Sequence, residues 1–151
     1  MPAKIKGIKP LKLKLKKIPF DARSFAAIEI KRSIVDIIVE KIVSGVSPVK
    51  GQNRYKKYSD EYSKVKGRKS PVDLVDTGDM LNAMVAKQTN KGSIIISFKG
   101  AAAQKLAAIH QFGQGKMPAR QMLPQRGQIF KADIMNKIVK IIDKAVKKAI
   151  K

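Results

Sequence analysis

A chain of 151 residues has room for one ordinary domain with a single core. Hydrophobic residues make up 44% of it and aromatics 5%, with no Trp, so the core must be built mainly from Ile, Val, Leu and Ala. Cysteine is absent, which excludes disulfides, thiolate metal sites and cysteine nucleophiles. With 33 Lys+Arg against 11 Asp+Glu the formal net charge is +22. That excess repels itself and implies either a polyanion nearby or dilution of the charge within an assembly. Lysines outnumber arginines, which favours contact with phosphate backbones over reading of base edges.

Residues 1–20 form a basic extended arm with seven lysines and no acid. LKLKLKK (Leu11–Lys17) has strict period two, which suits an edge strand or an arm ordered on a partner. Leu11, Leu13 and Leu15 would be buried in a neighbouring subunit, leaving Lys12, Lys14, Lys16 and Lys17 to face DNA or solvent. A solvated basic tail is the plainer alternative. The arm has no continuous apolar stretch and does not read as a secretory signal, and no run elsewhere approaches a bilayer span. No membrane partner is expected.

Residues 21–151 read as a single domain. Asp21 is placed to cap a helix of about 22 residues, roughly 33 Å long. Phe25, Ile28, Val35, Ile38 and Ile42 recur on it at helical spacing, widened by Ile30, Ile34 and Ile37. Gly45 is the natural residue just past its end. Residues 46–72 lack a sustained apolar period and read as a long flexible loop. Tyr55, Tyr58 and Tyr62 alternate there with Arg54, Lys56, Lys57 and Lys64, a pattern that can stack bases or lie on a short helix packed back on the domain. Lys56 and Lys57 are further candidates for contact with DNA.

Asp73, Asp76 and Asp79 are spaced three apart, but the further Glu of a calcium loop is missing. Aspartates beside Thr-Gly more often cap a turn or helix start, so no metal and no other cofactor is expected. Leu81–Thr89, a turn at 90–92, and Ser93–Phe98 read as a β-hairpin whose second strand is apolar on both faces. Ala101–Gly113 reads as a short helix with Leu106, Ile109 and Ala102 inward. Gln128–Lys151 reads as a helix with Ile134, Ile138, Ile141 and Ala145 on one side and Lys140, Lys144, Lys147 and Lys151 on the other. The fold class expected is α+β: a long N-terminal helix and a C-terminal helix packed on a small antiparallel sheet, with an extended arm and a long inserted loop.

The only histidine, His110, lies in IHQFGQGKMPARQML (Ile109–Leu123). It lacks a Gly-x-Ser-x-Gly nucleophile, and the Gly115-Lys116 pair is followed by Met where a phosphate-binding loop needs Ser or Thr. A helix-end histidine commonly bonds the last carbonyls, so the loop reads as architectural, with no catalytic residues. A hydrolase using His110 with Asp76 or Asp79 is the remote alternative.

Ser47-Pro48, Thr77-Gly78-Asp79-Met80-Leu81, His110-Gln111-Phe112-Gly113 and Pro118-Ala119-Arg120-Gln121-Met122-Leu123 follow one another with a spacing similar to tailed-bacteriophage tail-completion, neck and virion-morphogenesis proteins. The resemblance spans about residues 21–150. Gln121-Met122 stand where the family often has an aromatic, and the basic arm is not part of the pattern. It implies a non-enzymatic virion protein, made and assembled in the bacterial host cytoplasm, that forms a ring, a hexamer or dodecamer, at the head–tail junction. Its neighbours there would be neck, portal or tail-tube proteins and the double-stranded DNA in the channel. His110, Phe112, Gly113, Pro118, Arg120 and Leu123 are then the candidates for subunit contact or loop docking. A non-sequence-specific nucleic-acid-binding protein is the competing expectation.

Overall fold

Five helices and a small antiparallel sheet make up the computed structural model, which describes residues 3–4, 20–89 and 93–149. The sequence expectations for Leu11, Leu13, Leu15, Lys12, Lys14, Lys16, Lys17 and Lys151 lie outside the described residues. The architecture is α+β, as the hydrophobic periodicities require.

Helix α1 spans Phe20–Val43. It begins one residue before Asp21, the position expected to precede it. Its inward row is Ala27, Ile30, Ile34, Ile38 and Ile42, with Val35, Ile37 and Val39 along the flanks. Ile28, expected inside, is 43% exposed, because the buried ridge follows the i, i+4 row through Ile30 and not the row through Ile28. Gly45 ends the helix as expected, at φ 80°, in a Schellman arrangement. Its N–H donates to the Ile42 carbonyl at 2.9 Å and the next N–H, of Val46, reaches the Lys41 carbonyl at 3.4 Å.

Segment 46–72 is anchored, which corrects the reading of a long loop without structure. Residues 48–50 run as a two-stranded ribbon beside 129–131: Lys50 N–H donates to the Ile129 carbonyl and Lys131 N–H to the Pro48 carbonyl, both at 2.9 Å. Helix α2, Asp60–Lys66, starts on a Ser59 hydroxyl that accepts the Tyr62 N–H. Tyr55 and Tyr58 are buried in the core while Lys56 and Lys57 between them are exposed. An extended stretch with buried tyrosines cannot offer those rings to bases, so only the exposed Tyr62 retains that option.

A single-turn helix α3, Asp79–Asn82, buries Met80 and Leu81. The first hairpin strand therefore starts at Met84, not at Leu81. The sheet has order β1-β3-β2, with β1 Ala3–Lys4, β2 Met84–Gln88 and β3 Ile94–Phe98, all antiparallel. Ile96 and Phe98 face the core with Met84 and Ala86, and Ile95 on the other face is half covered.

Helix α4 spans Ala101–Phe112 and helix α5 spans Ala132–Ala149. Residues 128–131 precede α5, since Lys131 is committed to the ribbon. The α5 row Ile134, Ile138, Ile142 and Ala145 packs on the isoleucine row of α1, with Ile141 at its edge. Two ion pairs lace the helices at their rim: Lys41 with Asp133 at 2.6 Å and Lys137 with Glu40 at 3.1 Å.

Candidate functional site

The stretches of sequence that carry the expected site meet in one joint. Its first part is a hook at the end of α4. Gly113 closes the helix at φ 75° and ψ 156°, a region open in practice only to glycine. A Cβ there would lie 2.8 Å from the Met117 carbonyl oxygen and 2.9 Å from the Ala119 nitrogen. The chain then reverses through a Gln114–Met117 turn and comes back along the helix end, where Arg120 N–H donates to the His110 carbonyl at 2.6 Å. The Gln111 side chain fastens the return. Its Oε1 accepts the Met122 and Leu123 N–H groups at 2.9 and 3.1 Å, and its Nε2 donates to the Leu123 carbonyl at 2.6 Å.

The second part is the strap formed by residues 47–58. The Ser47 hydroxyl donates to the Gln121 carbonyl at 2.7 Å and the Tyr55 hydroxyl donates to the same oxygen at 3.2 Å, so both lone pairs of that carbonyl are used. Burial pushes the Tyr55 phenol well above its usual range, with nearby Arg120 opposing only weakly, so it remains a donor at any physiological pH.

Arg120 sits between hook and strap. It is only 5% exposed, and its Nε and Nη2 reach the Lys56 carbonyl, both at 3.4 Å, while the guanidinium lies over the Tyr58 ring, 5.4 Å from its centroid. Docking on a carbonyl is thus found, and it is made within the subunit. Burial lowers the Arg120 pKa, but a guanidinium stays charged, and the three tyrosines around it favour that charge.

Tyr58 continues into a polar cluster. Its hydroxyl donates to Asp73 Oδ1 at 3.0 Å, burial raises its pKa to about 12, and Asp73 adds to the rise. Burial works to raise the Asp73 carboxyl pKa, but it is outweighed by the Val75 N–H, the Tyr58 hydroxyl and Lys66, which hold it below the ordinary range. Arg68 pairs with the other oxygen, and Lys66 lies 3.4 Å away. Asp73 thus orders a turn, holding Leu74 at φ 54° through the Val75 N–H bond at 3.1 Å. Asp79 lies in the first turn of α3 and accepts from the Thr77 hydroxyl at 2.7 Å, but it does not cap the helix, whose N-cap is Gly78 without a side-chain bond. No cluster of three or more His, Asp or Glu side chains able to hold a metal occurs among the described residues.

The candidates divide in two. Arg120 and Leu123 are buried inside the chain and do not themselves form a subunit contact surface. His110 does not bond the last carbonyls of its helix. Its Nδ1 is buried without a partner, so no carboxylate orients the ring through that atom, and burial together with Arg120 lowers its pKa. Pro118 is half-buried in the returning strand. Phe112 is the exception, 64% exposed, with Met117 at 40% on the same hook and Leu106 at 42% on α4. Leu106 and Ala102 were expected inward; α4 instead turns Ala103 and Ala107 to the core, because only small side chains fit its close approach to β3 and α3. The Gln111 ligation was not foreseen. A glutamine one residue after His and two before Gly at a helix end, followed within a dozen residues by Met-Leu, was the available signal.

Comparison with protein-family models, curated proteins and solved structures returns no match. No helix among the described residues is long and apolar enough to cross a membrane.

Proposed function

We propose that the chain is a structural subunit of a tailed bacteriophage that assembles into a ring at the head–tail junction, joining the tail tube to the portal-bearing head around the DNA channel. One observation carries the reading. Three of the four motifs behind the resemblance, at Ser47-Pro48, His110–Gly113 and Pro118–Leu123, interlock as hook and strap, and this leaves Phe112, Met117 and Leu106 exposed as large apolar side chains on a highly charged chain. Exposed apolar groups held on a rigid turn suit a contact between identical subunits, which in a closed ring must be heterologous. Arg120, His110 and Leu123 serve that contact indirectly, by fixing the hook that presents Phe112. In this reading the chain catalyses nothing, needs no cofactor, and resides in the virion.

Class averages of the purified protein by electron microscopy test the proposal. A closed ring of six or twelve copies is expected from the resemblance, and Phe112→Ser with Leu106→Gln should dissociate it with helix content unchanged. A monodisperse monomer that shifts naked duplex would replace this reading with a nucleic-acid-binding protein.

A further inference from the structure

Lys140, Lys144, Lys147 and Lys148 are exposed on α5. The hundred-degree step per residue sets them within one outer face, opposite Ile134, Ile138, Ile142 and Ala145. The acids at the α1–α5 rim are already used, Glu40 by Lys137 and Asp133 by Lys41. Among the described residues no carboxylate lies within 4.0 Å of any of the four lysines.

The dipole at the helix C-terminus compensates Lys147 and Lys148, in its last turn, but its effect fades before Lys144 and Lys140. Like charges at i, i+3 and i, i+4, as in 140–144, 144–147 and 144–148, each destabilise a helix by about 0.2–0.5 kcal/mol. Asp143, three residues from Lys140 and four from Lys147, offsets part of that cost, and an external anion would remove the rest.

We infer that this lysine face of α5 is a docking surface for the phosphate backbone of double-stranded DNA. From Lys140 to Lys148 is eight steps along the helix, about 12 Å, and duplex DNA carries roughly seven charges in that length. Lysine suits this contact because a mobile point charge needs no particular base sequence. Insertion into a bilayer is disfavoured, since the apolar stripe that would enter it is occupied by α1. The choice of duplex as the polyanion rests on the proposed place at a DNA-filled junction; the surface itself does not.

The test is fluorescence-anisotropy titration of a short mixed-sequence duplex with wild type and with Lys140, Lys144, Lys147 and Lys148 all changed to Gln. Glutamine is a comparable helix former, and circular dichroism checks that α5 is retained. If all four contact phosphates, the plot of log K against log salt becomes shallower by about 3.6 in the variant. Between about 50 and about 200 mM salt the wild type then loses roughly 100-fold more affinity than the variant. Unchanged affinity and slope, or a loss that follows Lys56→Gln with Lys57→Gln instead, overturns the inference. So does lysine-dependent binding to phosphatidylglycerol vesicles with no effect on duplex. Ring formation is scored separately by microscopy: a ring without duplex binding fails this inference alone, and duplex binding without a ring fails the proposed function alone.

Discussion

Gln111→Ala is the most direct probe of the hook. One side chain satisfies two backbone N–H groups and one carbonyl, at 2.6 to 3.1 Å; its removal orphans both N–H groups, while the Leu123 carbonyl keeps the Gln121 amide at 3.2 Å. A fully buried orphan costs about 1–3 kcal/mol. Here the side chain is half-buried, so water reaches part of the site and the lower end of that range applies to each group. The expected loss is about 2 kcal/mol, against a total stability on the order of 5–15 kcal/mol for a domain. Urea unfolding followed by circular dichroism reads it as a lower midpoint at unchanged slope. Gln111→Glu separates the contributions, since it keeps acceptors for Met122 and Leu123 but places a carboxylate against the Leu123 carbonyl. It should fall no closer to wild type than half the alanine loss. An alanine variant within about 0.5 kcal/mol of wild type would show that the hook does not depend on this side chain.

Gly113→Ala should cost at least about 2–3 kcal/mol, because the backbone region is strained for any side chain and the new methyl meets fixed backbone atoms; differential scanning calorimetry measures it. Asp73→Asn should destabilise by about 1–3 kcal/mol near neutral pH. Because the folded pKa of Asp73 is depressed, its contribution is present above the unfolded value of about 3.9 and vanishes as pH falls through the folded one. The two unfolding curves should therefore converge in acid, and a constant gap would refute the pairing. His110, whose folded pKa is also depressed, stabilises fully above its unfolded value of about 6.5 and less as pH falls through the folded value. His110→Gln should flatten that part of the pH–stability profile, and an identical profile would place the histidine outside the packed joint.

Regular periodicity made the helices legible. Isoleucines four apart announced α1, and the alternation of isoleucines with lysines on α5 announced its two faces. Which isoleucine row of α1 is innermost depends on α5 and the sheet, partners that the local pattern does not contain, so Ile28 was misplaced. On α4 the most apolar row, Ala102, Leu106 and Ile109, suggested the core face, yet close packing admitted the alanines instead. In 46–72, Tyr55 and Tyr58 are buried without any repeat that reveals it, because an extended strap borrows its partners from residues 120–123. The importance of the His-Gln-x-Gly and Pro-Ala-Arg stretches was readable. That they bind each other first, and a neighbour only through Phe112 in the proposed ring, was not.

The two halves of the joint differ in the length of chain each must bend. Gln111 meets Met122 and Leu123 across eleven and twelve residues, whereas Ser47, Tyr55 and Lys56 meet Gln121 and Arg120 across 74, 66 and 64. Loop-closure entropy grows as the logarithm of that separation, so the strap forfeits about 1.6 kcal/mol more than the hook on closing. The loop between is shortened only once the hairpin and α4, which lie within it, have gathered on the core. The hook is therefore a local closure and the strap a long-range one, and on contact separation the hook is expected to form first. In the proposed ring, a subunit whose strap has not closed would lack the brace on the turn beside Phe112, and this order of closure would withhold the contact edge from incomplete chains.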